Sequence, residues 1–278
     1  MRDTIEQEST SERDAFWNAG VLTDPAVLTS AESMQFTTEG WAGPFPLLGK
    51  RGVERVTEIT DKVKGRFVAA SQMSSRRHWF KSMHAYIPEF HDIACHPAIV
   101  NRIKAILGPD LIVWGQCITV RKPGQEHRWH VDVEHRRWPG VSVFVGLKGI
   151  SQGSTLKVVS HSHKIKETPQ GLKLKNDEAV IEKAREFQPS SRLIAVDLKE
   201  SEFFMFDGTL WHASHNSSEQ TRTAMVIQYS RPSAQVQIPL NWRGPIAWSS
   251  YPPPCVLVCG EDRYGINRLV GRPLETPG

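Results

Sequence analysis

The chain has 278 residues, four of them cysteine, and its 34 basic and 30 acidic residues give a net charge of +4. A hydrophobic content of 39% with 23% charged residues is typical of a globular protein and excludes a disordered chain. No uncharged apolar run approaches the ~20 residues that span a bilayer, no apolar signal segment opens the sequence, and the small, dispersed charge excess does not indicate nucleic-acid binding. Because four cysteines are too few for a disulfide scaffold, we expect a cytoplasmic protein.

The amino-terminal part of the chain predicts helices. Thr29 and Glu32 have the spacing of a capping box, in which each side chain accepts a hydrogen bond from the other residue's backbone N–H. Apolar residues recur at helical spacing over 53–63. Residues 97–107 predict a further, amphipathic helix that begins with a proline and is followed by a Gly-Pro pair.

After residue 109, short β-branched or aromatic runs bounded by Gly, Pro, Ser or charged residues predict β-strands. Many short strands at this spacing are typical of an antiparallel sandwich or barrel. Asn176 is placed to cap a short amphipathic helix that interrupts the strands and ends near Phe187. After residue 231 the chain is rich in proline and predicts irregular structure. The predicted strands cover residues 111–120, 141–150, 154–160, 192–198, 202–206 and 223–230.

His130 and Asp132 form an H-x-D tripeptide within the sequence RWHVDVEH. On an extended strand, residues two apart point to the same face, so this imidazole and this carboxylate can reach one metal ion. Two histidines and one carboxylate on one face of an octahedron form the site of non-haem Fe(II) oxygenases. The tripeptide alone is not specific, because 11 histidines and 30 acidic residues in 278 give about one by chance. The alternative is a strand-end histidine that is hydrogen-bonded to its neighbour.

A later segment, FFMFDGTLWHASHNSSEQTRTAMVIQYS, contains a candidate third ligand. Its pattern predicts a strand, a turn that carries His212, and a further strand that begins with Arg222. His215 lies in the same turn, and spacing alone does not decide between the two histidines. Arg222 shares a strand face with small apolar residues, where a buried guanidinium needs a partner such as the carboxylate of a cofactor. The alternative role of Arg222 is a structural salt bridge.

A rival metal site of the cupin type also has partial support. An H-x-H-x3-E pattern follows the strand at 154–160, and an H-x3-N pattern occurs later, as in the two cupin motifs that hold iron, manganese or nickel. The glycine spacings fit those motifs poorly and the proline of the second motif is absent, which favours the H-x-D set. A simple loop after the strand also accounts for the first pattern. The residues of this rival set are His161, His163, Glu167, His212 and Asn216.

The constellation of H-x-D, His212 and Arg222 resembles the phytanoyl-CoA dioxygenase family of Fe(II)/2-oxoglutarate oxygenases. The branch to which it is most similar contains ectoine hydroxylases and aliphatic natural-product halogenases. The resemblance covers most of the chain in order, which is far more specific than one tripeptide. The matching segments are GPFPLL (43–48), HPAIVNRIKAILGPDLIVW (96–114), RKPGQEHRWHVD (121–132), GSTLKVVSHSHK (153–164), WHASHNSSEQTR (211–222) and PPPCVLVCGEDRYGINRLV (252–270).

The resemblance implies three iron ligands, with His212 preferred to His215. It implies that Arg222 binds the far carboxylate of the cosubstrate 2-oxoglutarate, with the help of Ser214. Gln116 would contact the cosubstrate or the substrate, and the histidines of the rival set would belong to a loop that follows a strand. The implied iron ligands are His130, Asp132 and His212.

The resemblance also implies the fold. We expect a mainly β protein, a double-stranded β-helix of the jelly-roll or cupin-like type with amino-terminal helices packed outside. Residues 1–278 are expected to form a single domain. Within it, we predict a mainly helical front at 1–109, a β-helix core at 110–232 and an irregular carboxyl-terminal tail at 233–278.

The implied reaction is the oxidation of a small molecule by O2 with Fe(II) and 2-oxoglutarate. Halogenases of this family replace the metal-binding carboxylate with Ala or Gly so that chloride can bind in its place. The presence of Asp132 therefore predicts hydroxylation of an unactivated C–H bond, in natural-product or specialised metabolism. Desaturation, cyclisation or epimerisation with the same cofactors, and a non-catalytic relative that binds a metabolite, are the alternatives.

Residues that closely follow the metal motif are expected to border the substrate. His135, Arg137 and Trp138 favour an anionic or aromatic small molecule, free or tethered to a carrier protein, and a solvated loop is the alternative. Residues 173–187 predict a lid over the site or a surface excursion. The sequence gives no prediction of the oligomeric state.

Overall fold

The computed structural model describes residues 27–47, 49, 52–61, 81–133, 138–237 and 253–273. The helices are α1 (Ser30–Glu39), α2 (residues 52–61), α3 (Met83–Tyr86), α4 (Pro88–Ala94), α5 (Pro97–Leu107) and α6 (Asp177–Phe187). The strands are β1 (Trp41–Pro46), β2 (Leu111–Arg121), β3 (Glu126–His130), β4 (Gly140–Lys148), β5 (Leu156–Val159), β6 (Leu193–Ala195), β7 (Glu202–Asp207), β8 (His212–His215), β9 (Arg222–Ser230) and β10 (Val256–Cys259).

The strands form two antiparallel sheets. The larger sheet has the strand order β1-β7-β4-β9-β2-β10, and the smaller sheet has the order β3-β8-β5-β6. Neighbours such as β4 and β9 are far apart in the sequence, as expected when a chain winds between two sheets in a jelly-roll architecture. The predicted mainly β fold with helices outside is confirmed.

Alternate residues of β9 face the helices. Met225, Ile227 and Tyr229 belong to an apolar cluster that packs the larger sheet against α4 and α5. The Tyr229 hydroxyl donates a hydrogen bond of 2.8 Å to the carbonyl of Ala94, at the end of α4. Because side chains alternate along a strand, the remaining residues of β9 face the other way.

The opposite face of β9 looks into the space between the sheets. Ala224 packs there with Phe144 of β4 and Leu156 of β5, in a second apolar cluster. The other even-numbered residues of β9, from Arg222 to Gln228, share this face by the two-residue period of a strand. The smaller sheet closes the space, and the candidate metal ligands lie at its edge.

The predicted helix ends are confirmed. Thr29 Oγ1 accepts a hydrogen bond of 3.2 Å from the backbone N–H of Glu32, whose carboxylate accepts one of 2.7 Å from the N–H of Thr29. Asn176 Oδ1 accepts one of 2.9 Å from the N–H of Ala179 at the start of α6. Helix α5 ends at Gly108, which has a φ of 96°. Within the ranges that the structure describes, no helix has the length and apolar character needed to cross a membrane.

The prediction missed two edge strands of the larger sheet, β1 in the helical front and β10 in the tail expected to be irregular. Both have six residues or fewer, too short to show a clear period. β1 also contains two prolines, which lack a backbone N–H and are tolerated at a sheet edge. The predicted turn at His212 is wrong as well, because this residue begins β8 and pairs with His130 of β3.

Candidate metal centre

Three side chains converge where β3 and β8 lie side by side. Nε2 of His130 and Nε2 of His212 lie 3.8 and 3.9 Å from Oδ1 of Asp132. One donor atom from each side chain lies within 4.8 Å of the other two. Two donors that share an ion at about 2.1 Å with a right angle between them are about 3 Å apart, so each imidazole nitrogen needs to approach the carboxylate oxygen by about 1 Å. The residues therefore fit one metal ion.

Hydrogen bonds orient both imidazole rings toward the same point. Nδ1 of His130 lies 2.8 Å from the carbonyl oxygen of Arg128, and Nδ1 of His212 lies 2.9 Å from that of Leu210. Since a carbonyl only accepts, each Nδ1 carries the proton and donates it. The lone pair of each Nε2 is then free to bind a metal, as in other metal-ligating histidines.

A third hydrogen bond orients the carboxylate. Ser142 Oγ donates a hydrogen bond of 2.6 Å to Oδ2 of Asp132. The other oxygen, Oδ1, is the one that faces the two imidazoles. Ser142 lies on β4 of the larger sheet, so this contact joins the metal centre to the opposite wall of the barrel.

Burial and charge hold the three groups in the forms that bind metal. Burial is the main cause that lowers the pKa of both His130 and His212, which favours neutral imidazoles at neutral pH. Burial acts to raise the pKa of Asp132, but electrostatic interactions with His212 and Lys81 outweigh it and the pKa lies well below its usual range. A carboxylate and two neutral imidazoles are the states needed for coordination.

Arg222 is a buried cation on the inward face of β9. Its side chain is 1% exposed, and its guanidinium lies 5.3 Å from the ring centre of Phe144. Nη1 donates a hydrogen bond of 3.2 Å to the carbonyl of Ser154, and Nε has no partner among the described residues. Burial, and then the neighbouring Arg121, lower the pKa of Arg222 to about 10, so it remains charged at neutral pH.

No carboxylate of the described ranges lies within ion-pair distance of Arg222. The structural salt bridge considered from the sequence is therefore not found there. A buried guanidinium without a counter-ion is unfavourable by several kcal/mol unless a ligand neutralises it. Phe144 lies beneath the guanidinium, and Ser142 contacts Asp132. These two residues are two positions apart on one face of β4, so their Cα atoms are separated by about 7 Å. A small dicarboxylate can bridge that interval.

Ser214 shares the inward face of β8 with His212. It follows His212 by two residues on β8 and pairs with Leu156, whose side chain is in the cluster between the sheets. Ser154, which accepts the hydrogen bond from Arg222, lies two residues before Leu156. The side chain of Ser214 is therefore on the same strand face as His212, and its contact with 2-oxoglutarate stays a prediction.

Gln116 is not brought to this space. Its register partner on β9 is Ile227, which faces the helices. The side-chain Nε2 donates to the carbonyl of Phe90 in α4 at 3.0 Å and to Met225 Sδ at 3.2 Å. The predicted contact of Gln116 with cosubstrate or substrate has no support in this geometry, because the side chain lies on the opposite face of the sheet from Arg222.

Of the residues expected to border the substrate, His135 and Arg137 lie outside the described residues. Trp138 is 4% exposed and packs edge-on against Trp114, with ring centres 4.8 Å apart. Trp138 is therefore a buried supporting residue in this structure, behind Trp114. The expected lid helix α6 packs on the smaller sheet, where Asp177 accepts a hydrogen bond of 3.0 Å from the indole of Trp129.

The rival histidines do not form a metal site with His212. His161 Nδ1 lies 3.0 Å from Ser160 Oγ, and His163 Nε2 lies 3.2 Å from the carbonyl of Thr37 on α1. His215 is exposed and alternates to the face opposite His212. In the part of the chain that the structure describes, the only group of three possible ligands is the His130, Asp132 and His212 set.

Sequence reasoning missed two polar residues beside the metal centre. Lys81 Nζ lies 3.3 Å from Gln228 Oε1, and its charge lowers the pKa of both Asp132 and His212. No motif marks Lys81, which precedes a short helix far from the H-x-D tripeptide in sequence. Gln228 was visible only as one residue on the face of β9 that also carries Arg222.

The fold and the His-Asp-His set define a protein of the non-haem iron oxygenase type. The family model described as "Phytanoyl-CoA dioxygenase (PhyH)" matches residues 37–224, a span that contains the three candidate ligands and Arg222. Because this match covers more than half of the chain, the chain belongs to the phytanoyl-CoA dioxygenase family of Fe(II)/2-oxoglutarate-dependent oxygenases. No curated protein matches the sequence significantly.

Several solved structures share the fold. EctD from S. alaskensis, in its apo form, is 15% identical with a TM-score of 0.64, and the alignment covers 91% of each chain. CytC3 with Fe(II) and alpha-ketoglutarate, which is 2-oxoglutarate, is 18% identical over 89% of this chain and 94% of CytC3, with a TM-score of 0.62. The apo non-heme monooxygenase ThoJ is 20% identical over 90% of this chain and 88% of ThoJ, also with a TM-score of 0.62.

Proposed function

We propose that this protein is an Fe(II)- and 2-oxoglutarate-dependent dioxygenase that hydroxylates an unactivated C–H bond of a small molecule in specialised metabolism. One observation carries the proposal. A largely buried His-Asp-His set, with its donor atoms turned to one point, and a buried guanidinium without a counter-ion among the described residues both lie in the space between the two sheets. A metal-chelating dicarboxylate satisfies both halves of this arrangement.

The side chains of the centre would hold iron through Nε2 of His130, Nε2 of His212 and Oδ1 of Asp132. Arg222 would bind the far carboxylate of 2-oxoglutarate with its two-pronged guanidinium, beside Ser214. Bound Fe(II) and 2-oxoglutarate supply the oxidising power of the reaction with O2. The chain itself fixes the positions of the reactants and excludes water, which needs rigid supports such as the hydrogen bond to Asp132.

Asp132 also bears on the outcome of the reaction. Its carboxylate would occupy the metal position that a halide needs, and its second oxygen is held by Ser142 at 2.6 Å. A side chain held in this way would keep that position on a bound metal. This supports hydroxylation over halogenation, while desaturation, cyclisation and epimerisation use the same three ligands and are distinguished by their products.

The test is anaerobic reconstitution with Fe(II) and 2-oxoglutarate. Formation of the chelate is measured by its weak charge-transfer band in the visible absorption spectrum. We expect the band in the wild-type protein and in the Asp262→Ala variant, which alters a loop remote in sequence from the centre. We expect its loss in Asp132→Ala, together with the loss of succinate release on admission of O2. Folded, iron-loaded wild-type protein without a band, or an Asp132→Ala variant with full succinate release, would refute the proposal.

A further inference from the structure

Metal ligands and anchoring side chains alternate along the segment that carries the H-x-D tripeptide. His130 and Asp132 turn to the candidate metal centre. Trp129 and Val131, which precede them, turn to the other face of the smaller sheet and join an apolar cluster to which α6 contributes. Trp129 is 4% exposed, so its indole is enclosed there. The position of the two ligands therefore depends on what holds the anchoring side chains.

Backbone pairing alone holds β3 weakly. Among the strands that the structure describes, β3 has β8 as its only neighbour, so it lies at the edge of the smaller sheet. Its pairing with β8 shifts register between His127 and His130. An edge strand lacks the second row of backbone hydrogen bonds that fixes a central strand. Side-chain contacts of β3 must therefore contribute to the position of His130.

The indole of Trp129 makes a specific polar contact with α6. Its Nε1 donates a hydrogen bond of 3.0 Å to Oδ1 of Asp177, the first residue of that helix. The other oxygen, Oδ2, accepts a hydrogen bond of 2.5 Å from Nζ of Lys157 on β5. One carboxylate thus joins β3, β5 and α6. The cap formed by Asn176 holds the start of the helix, and with it the residue that bears this carboxylate.

The contact reaches His130 through the backbone of β3. Nδ1 of His130 donates its hydrogen bond of 2.8 Å to the carbonyl of Arg128. That carbonyl belongs to the planar peptide unit that joins Arg128 to Trp129, so any rotation of this unit turns the carbonyl. Because the hydrogen bond to Nδ1 sets the orientation of the imidazole, a fixed Trp129 also fixes the direction in which Nε2 of His130 points.

We propose that Trp129 and Asp177 are positioning residues of the metal centre, which set the orientation of His130 through the backbone of β3. This inference rests on the proposed oxygenase function and assigns to α6 the role of a support behind the metal ligands. Neither side chain shares the sheet face of the ligands, so both act through His130. Loss of the indole contact lets the edge strand move and makes metal binding by His130 less favourable.

The test measures Fe(II) affinity by anaerobic competition with a chelator. Trp129→Phe removes the indole donor and keeps an aromatic ring in the cluster, and Asp177→Ala removes the acceptor. We expect each variant to weaken Fe(II) binding about 10-fold, the lower end of the effect of groups that hydrogen-bond directly to metal ligands.

Glu178→Gln is the matched control for the change of charge. Glu178 is an exposed carboxylate in the same first turn of α6, so its replacement removes the same charge from the helix N-terminus without touching Trp129. It should leave Fe(II) affinity within about twofold of the wild-type value. If Glu178→Gln weakens Fe(II) binding as much as Asp177→Ala does, the effect belongs to the helix charge and the inference is wrong.

A double-mutant cycle separates positioning of His130 from a general loss of structure. His130→Ala leaves Asp132 and His212 as ligands, and Ni(II) is the probe because it binds such sites more tightly than Fe(II). Trp129→Phe should weaken Ni(II) binding about 10-fold when His130 is present. In the His130→Ala background, the same change should alter Ni(II) affinity by less than about twofold, since the group through which it acts has been removed.

The outcomes separate this inference from the proposed function. Unchanged Fe(II) affinity in Trp129→Phe and Asp177→Ala overturns the inference and leaves the proposed function intact. Equal weakening of Ni(II) binding by Trp129→Phe in both backgrounds also overturns it, because the effect then does not pass through His130. A wild-type protein that binds Fe(II) no more tightly than His130→Ala overturns the proposed function, and this inference with it.

Discussion

The role of Arg222 leads to two predictions for the Arg222→Met variant, one for the stability of the ligand-free protein and one for its stabilisation by 2-oxoglutarate. Methionine has a similar length without the charge. Without 2-oxoglutarate, the variant should be at least as stable as the wild type, because an uncompensated buried cation is removed and one hydrogen bond of 3.2 Å to Ser154 is lost. With 2-oxoglutarate, the variant should lose a charge-assisted bidentate contact.

The magnitude follows from the burial of the guanidinium. Loss of one partner from a buried, hydrogen-bonded charge pair costs about 2–5 kcal/mol, and the lower limit corresponds to a dissociation constant about 30-fold larger. At a 2-oxoglutarate concentration about 100 times the wild-type dissociation constant, the wild type gains about 2.7 kcal/mol. The variant gains about 0.9 kcal/mol under the same conditions. A gain of 1 kcal/mol raises Tm by about 2–4 °C. Addition of 2-oxoglutarate should therefore raise the Tm of the wild type by about 5–10 °C and that of Arg222→Met by about 2–3 °C.

The assay is thermal unfolding of the Fe(II)-loaded protein under anaerobic conditions, with and without 2-oxoglutarate. Arg192→Gln is the matched control, because Arg192 is an exposed arginine paired with Glu39 at 2.6 Å and such pairs contribute little. Arg192→Gln should change the Tm by no more than about 2 °C, both without and with 2-oxoglutarate. If Arg222→Met lowers the Tm of the ligand-free protein by several degrees and retains the full shift with 2-oxoglutarate, Arg222 does not bind the cosubstrate.

Three further predictions concern the supports of the site and of the fold. Ser142→Ala removes the hydrogen bond that orients Asp132 and should lower Fe(II) affinity about 10- to 100-fold, measured by competition with a chelator; an unchanged affinity would contradict this role. Burial lowers the pKa of His84 to about 4, so the unfolded state binds its proton first, and stability should fall as pH drops from 6.5 to 4. Urea unfolding of metal-free protein should show a pH slope smaller by up to about 1.4 kcal/mol per pH unit in His84→Gln, and equal slopes would exclude His84 as the cause. Tyr229→Phe leaves the buried carbonyl of Ala94 without its 2.8 Å donor and should cost about 1–2 kcal/mol in urea unfolding, with the dissociation constant for Fe(II) unchanged.

The parts of the structure that depend on local chemistry could be predicted from the amino-acid sequence. The capping box of Thr29, the cap at Asn176 and the helix at 97–107 could be predicted because each arises from residues within one turn of one another. Long β-branched runs likewise marked the central strands. Ordered motifs along most of the chain indicated the family, and the family model match confirmed it.

The face of the sheet that a residue occupies, and the residues it contacts there, depend on pairings between strands that are distant in the sequence. A strand reverses its facing with every residue, and β2 shifts register between Val113 and Gly115, so the sequence could not show that Gln116 faces the helices. The short edge strands have no measurable period and exist because β7 and β2 offer partners. The site brings Lys81 close to Gln228, 147 positions away, through a sheet register that no local pattern encodes.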